Sequence, residues 1–305
     1  MITRRGLLKL GGGTALAGLS LATYALGYEP RFALAVRTYR LTPPRWPSRL
    51  HLRAAVISDI HACDPWMPLS RIAKIVSETN ALAPDIVFLT GDYVAGLSSF
   101  RTGTIASPEW AAVLAGLKAP LGVHAILGNH DWWDDRSAQR RGGGPTIAGD
   151  ALEAVGIPVL HNEAKRIETP RGAFWLAGLE DQLALLSGYG GRQGFRGLDD
   201  LDATLKAVTT DEPIILLAHE PDIFPRVSAR VSLTLSGHTH GGQVRVFGWS
   251  PMVPSRYGPR FAYGHVVEHG KHLIVSGGIG CSIAPIRFGV TPEIVLVELG
   301  EPPVA

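Results

Sequence analysis

The chain has 305 residues, 46% hydrophobic and 18% charged, with a formal net charge of +2. That suits one large α/β domain or two small ones and is too apolar for disorder. Residues 1–57 carry nine basic groups against the single acid Glu29, a net +8 that leaves −6 on the remainder. A nucleic-acid-binding domain carries its positive charge on the folded part, so this distribution argues against nucleic acid as a partner.

In chain order, Thr3-Arg4-Arg5-Gly6-Leu7-Leu8-Lys9 comes first, followed by residues 10–28 without a charge and rich in Gly, Ala, Leu, Ser and Thr. This resembles a twin-arginine export signal, with Leu7 where Phe is usual, and residues 1–29 are set aside from fold reasoning. The competing reading is a membrane anchor, since about 20 apolar residues can span a bilayer. Either one implies a protein exported to the periplasm or tethered to the inner membrane, with the twin-arginine translocase as a partner. An Ala33-Leu34-Ala35 run would suit cleavage but lies beyond Glu29, Pro30 and Arg31. Residues 30–49, with four prolines among arginines, read as an extended linker containing one strand around Ala33–Leu41.

The domain is expected over residues 50–300. Strands are read at Leu52–Ser58, Ile86–Thr90, Val123–Leu127, Ala173–Ala177 and Ile214–Ala218, and helices at Leu69–Leu82, Glu109–Leu117, Gly149–Val155 and Leu201–Val208. Ser232–Leu235, Gln243–Phe247, Leu273–Ser276 and Ile294–Leu299 add a strand-rich end. Alternation first and strands later predict two sheets face to face with helices outside, a four-layer αββα sandwich. Arg140–Pro145, Ser187–Gly197 and Gly248–Gly258 read as glycine-rich surface loops, none with the setting of a phosphate loop. Cys63 and Cys281 make no disulfide framework; Cys63 reads as a bystander near the site.

Chemistry concentrates in five runs at strand ends: Asp59-Ile60-His61, Gly91-Asp92, Gly128-Asn129-His130-Asp131, His219 and Gly237-His238-Thr239-His240. Imidazoles and carboxylates are costly to bury there unless something pairs with them, and divalent metal would use the whole set. The i, i+2 spacing of Asp59 and His61 puts both side chains on one side of an extended segment, and His238 and His240 repeat it. Gly91 and Gly128 permit tight turns and close backbone approach. Mixed His and carboxylate donors suit manganese, iron or zinc.

The order of these runs resembles the calcineurin-like metallophosphoesterase superfamily, and the αββα sandwich is that family's fold. The resemblance implies one metal held by Asp59, His61, Asp92 and His240, with Asp92 bridging to a second metal completed by Asn129, His219 and His238. It implies a two-metal hydrolysis of phosphoesters, with His130 as general acid for the leaving oxygen. Asp131 either orients His130 or caps the next segment. Ala95 stands where the protein Ser/Thr phosphatases have a second aspartate after Gly91-Asp92, which argues against protein phosphatase activity.

Gly241-Gly242-Gln243, Pro254-Ser255-Arg256-Tyr257-Gly258 and Pro285-Ile286-Arg287-Phe288 resemble a bacterial membrane-associated branch of the superfamily. Some of its members are phosphodiesterases, and some hydrolyse UDP-2,3-diacylglucosamine in lipid A synthesis. Arg256 and Arg287 then read either as phosphate contacts or as surface ion pairs. Trp132 and Trp133 read as an apolar substrate wall or as core. His124 and His161 read as structural, and His51, His265, His269 and His272 as surface residues. The expected partners are a phosphorylated small molecule or lipid and the membrane surface, with a periplasmic nucleotidase or cyclic-nucleotide phosphodiesterase as the alternative and a silent scaffold the least favoured.

Overall fold

Alternate residues of strand Leu52–Ile57 serve two different cores. Ala54 and Val56 face an apolar layer between two sheets, whereas Ala55 and Ile57 face helices. Strands Ile86–Leu89 and Ile214–Leu217 divide in the same way. Burial on both faces is why they read as unbroken apolar runs. The computed structural model describes residues 4–189 and 192–300. Thr3 of the leader motif and the Gly190-Gly191 tip lie outside the described residues.

The first sheet runs in the order Ala35–Leu41, Glu293–Leu299, Leu52–Ile57, Ile86–Leu89, Val123–Ala125. Only the contact between Glu293–Leu299 and Leu52–Ile57 is antiparallel. The second runs Gly264–Glu268, Lys271–Val275, Leu233–Ser236, Ile214–Leu217, Gly172–Gly178, Glu163–Thr169, antiparallel only at its two outer pairs. Helices Leu69–Ala81, Ser107–Leu114 and Ile147–Ala154 cover the first sheet through Ile72, Trp110, Leu114 and Leu152. The outer face of the second is covered by helix Leu201–Lys206 and the 3₁₀ segment Pro221–Arg226. The fold is therefore the expected four-layer arrangement.

Some local readings are corrected. Ser187–Gly197 falls largely within an antiparallel hairpin, Leu185–Tyr189 with Arg192–Arg196, rather than a plain loop. Gln243–Phe247 forms only isolated bridges, Val244 to Phe288 and Val246 to Trp249. Edge strand Glu163–Thr169 escaped the sequence reading because its exposed side carries charge, which is how edges avoid unwanted pairing, and edge strand Gly264–Glu268 escaped it as well.

The segment read as a linker contributes strand Ala35–Leu41 to the sheet edge, so the folded unit starts ahead of residue 50. Upstream, helix Arg4–Thr23 passes through the π-helical turn Tyr24–Tyr28 into Glu29–Phe32. Ala25, Glu29 and Pro30 are buried. The Arg287 N–H donates to Ala25 O at 2.9 Å, and the Thr291 hydroxyl to Glu29 Oε1 at 3.1 Å. Tyr24 meets Phe288 edge-on with ring centroids 6.3 Å apart. Residue 29 is therefore no structural boundary. Deleting residues 1–32 should cost about 2–3 kcal/mol relative to deleting residues 1–23, from two lost hydrogen bonds and the buried contacts. That corresponds to roughly 3–5 °C in Tm by calorimetry. Equal midpoints would show that the segment adds nothing to the domain.

Candidate metal centre

All five motif runs follow strands whose C-terminal ends meet at one rim of the sandwich. Asp59 and His61 follow Leu52–Ile57, Asp92 follows Ile86–Leu89, and Asn129 opens the short helix Asn129–Trp133. His219 follows Ile214–Leu217, while His238 and His240 follow Leu233–Ser236. The turns are tied to one another. Asp59 N–H donates to Gly91 O and His61 N–H to Asp92 O, each at 3.0 Å, and Gly237 N–H donates to His219 O at 3.0 Å. Across the two sheets, His238 N–H donates to Asp59 Oδ1 at 2.9 Å.

The local geometry differs from the extended segment expected. Asp59, His61, Asp92, His238 and His240 all have positive φ, between 49° and 67°. Left-handed backbone is costly for L-residues with a Cβ, about 1–2 kcal/mol each. Alternation along a strand therefore does not aim Asp59 and His61 inward; strained turns do. The flanking glycines allow the approach. A Cβ on Gly128 would overlap Asp92 Oδ1 and lie 2.7 Å from His219 Cε1, and one on Gly237 would overlap Ser58 Oγ.

Ligand-type atoms gather in overlapping sets. Asp59, His61 and His240 form one and Asp92, His219 and His238 a second, each with its donor atoms within 4.8 Å of one another, and His130 comes as close to His61 and Asp92. His61 Nε2 lies 3.1 Å from His240 Nε2, which is 3.5 Å from Asp59 Oδ1. Asn129 Oδ1 joins the second set at 2.8 Å from His238 Nδ1. Asp92 Oδ2 is 3.6 Å from His61 Nε2 and 3.2 Å from His219 Nε2, so it stands between the sets. Apart from His238, which is slightly more open, these side chains are buried.

The donor set fits divalent cations on its own evidence. His61 Nδ1 lies 2.9 Å from Val94 O and His219 Nδ1 2.7 Å from Thr90 O. Donating there leaves each Nε2 lone pair facing the cluster, the outer arrangement typical of ligating histidines. His219 Nε2 approaches Asp92 without hydrogen-bond geometry, and Asp59 Oδ2 is buried without a partner. With no cation bound, burial drives His61 down to about 3 and His240 well below the ordinary histidine value. Burial also raises Asp59. Burial opposes charge on His219 and Asp92 as well, but their mutual attraction prevails, raising the first and lowering the second. Divalent charge would turn these neutral imidazoles and unpaired oxygens to use.

The supporting residues are partly unexpected. Asp131 accepts N–H bonds from Gly128, Asp92, Tyr93 and Val94 at 2.9–3.1 Å, bracing both turns rather than touching the His130 ring. Burial and the Asp92 carboxylate push Asp131 up to about 7, against the pull of those donors. His130 donates its backbone N–H to Asp92 Oδ1, and its Nε2 lies 3.2 Å from Ser282 Oγ.

Arg287 is no phosphate contact. It is fully buried, donates to Gly280 O and Val290 O, and places Nη2 3.1 Å from His240 Nδ1. Arg256 is exposed and paired with Asp222 at 3.3 Å, the surface ion pair of the two readings. Trp132 is core, at 1% exposure, and its neighbour Trp133 lies beside His130 instead. His124 is buried near Leu121 O, His161 pairs with Glu180, and the two cysteines sit in a small apolar cluster with Ala95 and Leu97.

Sequence reasoning missed Ser282, Asp181 and Glu220. Asp181 and Glu220 form a buried carboxyl group around His219, and Glu220 Oε1 lies 4.0 Å from His238 Nδ1. Glu220 directly follows His219, a signal that was available; nothing in the spacing marks Asp181. Gly128→Ala should leave a folded protein that binds Mn²⁺ at least about tenfold more weakly by calorimetric titration, because displacing Asp92 disturbs a shared donor. Unchanged affinity would mean that the Asp92 position does not matter to binding.

Residues 52–242 match the calcineurin-like phosphoesterases. The chain is 35% identical over 254 residues to the metallophosphoesterase F40B5.2 of Caenorhabditis elegans, covering 80% of this chain and 48% of that one. It is 30% identical to an uncharacterized metallophosphoesterase of Aquifex aeolicus, covering 90% and 95% respectively. Phosphodiesterase YaeI of Escherichia coli is 28% identical, with 80% of each chain covered. The chain thus spans about half the length of the worm relative and nearly all of the Aquifex one. The matched region takes in every turn that feeds the cluster, from Asp59 to His240, and the chain belongs to the calcineurin-like phosphoesterase family.

Proposed function

We propose that this protein hydrolyses a phosphodiester or pyrophosphate using two divalent cations. Asp59, His61, Asp92 and His240 would hold one, and Asp92, Asn129, His219 and His238 the other. The observation that carries the reading is the place of Asp92, whose single carboxylate faces both donor sets. Manganese, iron or zinc suit these donors. When bound, the ion pair neutralises phosphoryl charge and activates a water, so no serine or cysteine nucleophile is required.

The chain's residues supply position and protons. Asp131 and the glycine turns fix the donors, and the His130 main chain is anchored to Asp92. As the bond from water oxygen to phosphorus forms and the bond to the leaving oxygen breaks, His130 in its protonated form, which burial disfavours and the Asp92 carboxylate favours, delivers its proton to that oxygen and ends neutral. The likeness to phosphodiesterase YaeI supports a diester over a monoester.

A membrane setting belongs to the same proposal, with the leader exporting or tethering the enzyme and a lipid-linked phosphate as one substrate. Its support is apolar exposure at Leu16, Leu19, Tyr28 and Phe32, and at Phe247 and Trp249. Phe288 links these regions, since it meets Tyr24 and bridges to Val244. Among the described residues no helix is long and apolar enough to cross a membrane. The proposed association rests on those exposed apolar side chains.

The protein with Mn²⁺ should hydrolyse bis-p-nitrophenyl phosphate faster than p-nitrophenyl phosphate, and UDP-2,3-diacylglucosamine tests the lipid-linked class. Metal-independent rates, or none on any of the three, would overturn the proposal. His130→Asn should retain bound metal while turnover falls by about 10²–10⁴-fold on poor leaving groups. The loss should be smaller for p-nitrophenolate, which departs without a proton. Equal losses across leaving groups would remove His130 from the acid role.

A further inference from the structure

We propose that Trp133 and Phe195 form a stacking shelf for the departing half of the substrate, so that the favoured leaving group is planar and aromatic. This rests on the phosphodiesterase reading above and narrows it. The Trp133 ring lies 5.1 Å from the His130 ring, inclined at 57°. Phe195 stacks on the far side of the relay, 5.2 Å from Trp133 and 18° from parallel. Phe195 is 45% exposed, so the row of rings leads from the half-buried His130 out to solvent.

The row is built rather than incidental. Trp133 Nε1–H donates to Leu183 O at 2.8 Å, at the foot of the hairpin that carries Phe195. Gln139 clamps the same strand twice: its Nε2 donates to Ala184 O at 2.7 Å, and its Oε1 accepts from Leu186 N–H at 2.9 Å. Leu186 pairs in register with Phe195 and is also exposed. A phenylalanine held exposed against a tryptophan beside the acid is placed to meet a substrate group, and clamped aromatic rings bind at low entropic cost.

The direction follows from the acid. The leaving oxygen must come within hydrogen-bond reach of the imidazole. Its substituent has few ways out. His61 stands perpendicular to His130 on the cluster side at 5.0 Å, and Ser282 lies against Nε2. Gly96 is so close that a Cβ there would lie 2.9 Å from His130 Cε1. Another flank is the Trp133–Phe195 row, where the two rings stack on each other and the exposed side of Phe195 is open to a planar group. Ring stacking of this kind favours a planar group by roughly 3–10-fold.

The test uses methyl p-chlorophenyl phosphate and methyl hexafluoroisopropyl phosphate, whose leaving alcohols are closely matched in acidity, so that chemistry favours neither. Both leaving groups are apolar and only one is planar. The wild-type protein with Mn²⁺ should show kcat/KM about 3–10-fold higher for the aryl ester. Phe195→Ala should bring the ratio to about one, and Phe195→Tyr, which keeps the ring, should restore it. Because the ratio is taken within one preparation, loss of folded protein cancels. A wild-type ratio near one, or a preference that survives Phe195→Ala, would overturn the shelf while leaving the phosphodiesterase reading intact. Hydrolysis of neither ester would remove that reading, and the shelf with it.

Discussion

A single buried carboxylate organises the molecule. Asp92 is 2% exposed, stands within 3.6 Å of histidines from both sheets, and anchors the backbone of His130. Buried without compensation, a group of carboxylates and imidazoles this dense would cost far more than a domain's net stability. The two sheets can close over it because burial holds His61 and His240 neutral, His219 is drawn to the Asp92 carboxylate, and the outer nitrogens of His61 and His219 donate to main-chain carbonyls. Divalent charge is the partner that such an arrangement fits, and folding and metal binding become coupled through it.

The backbone bears part of the cost of this placement. Five cluster residues adopt left-handed conformations, and neighbouring glycines admit atoms that any side chain would displace. Strain concentrated at one rim, with two well-packed sheets beneath, is the distribution expected where precise positioning outweighs local comfort. The apolar layer between the sheets, with Phe88, Phe174, Leu217 and Leu235 at its centre, is what holds the strained turns in register.

Much of this was legible because the chemistry sits in short runs directly after strongly apolar strands. Period and order located Asp59, Asp92, Asn129, His219 and His240 at strand ends, and the two-sheet layout followed from the alternation of elements. What escaped was geometry that composition does not encode. The i, i+2 spacing of Asp59 and His61 suggested an extended segment, yet each is a left-handed turn residue. Arg287 looked like a phosphate ligand because arginine suits phosphate, but it is buried against main-chain oxygens and His240. Trp132 and Trp133 were indistinguishable as neighbours in sequence; helix rotation sends one into the core and the other beside His130. The contacts of Ala25 and Glu29 with loop 287–291 join segments far apart in the chain, which no local pattern announces.

Through that loop the N-terminal segment and the cluster become neighbours in one network, since Arg287, whose main-chain N–H donates to Ala25 O, also supports His240. The central claim remains the paired cations. Electron paramagnetic resonance of the protein loaded with Mn²⁺ tests it most directly. Ions held by the two donor sets, with Asp92 facing both, would give an exchange-coupled multiline spectrum at two equivalents of metal. A spectrum that stays that of isolated Mn²⁺ at every loading would contradict a dinuclear centre.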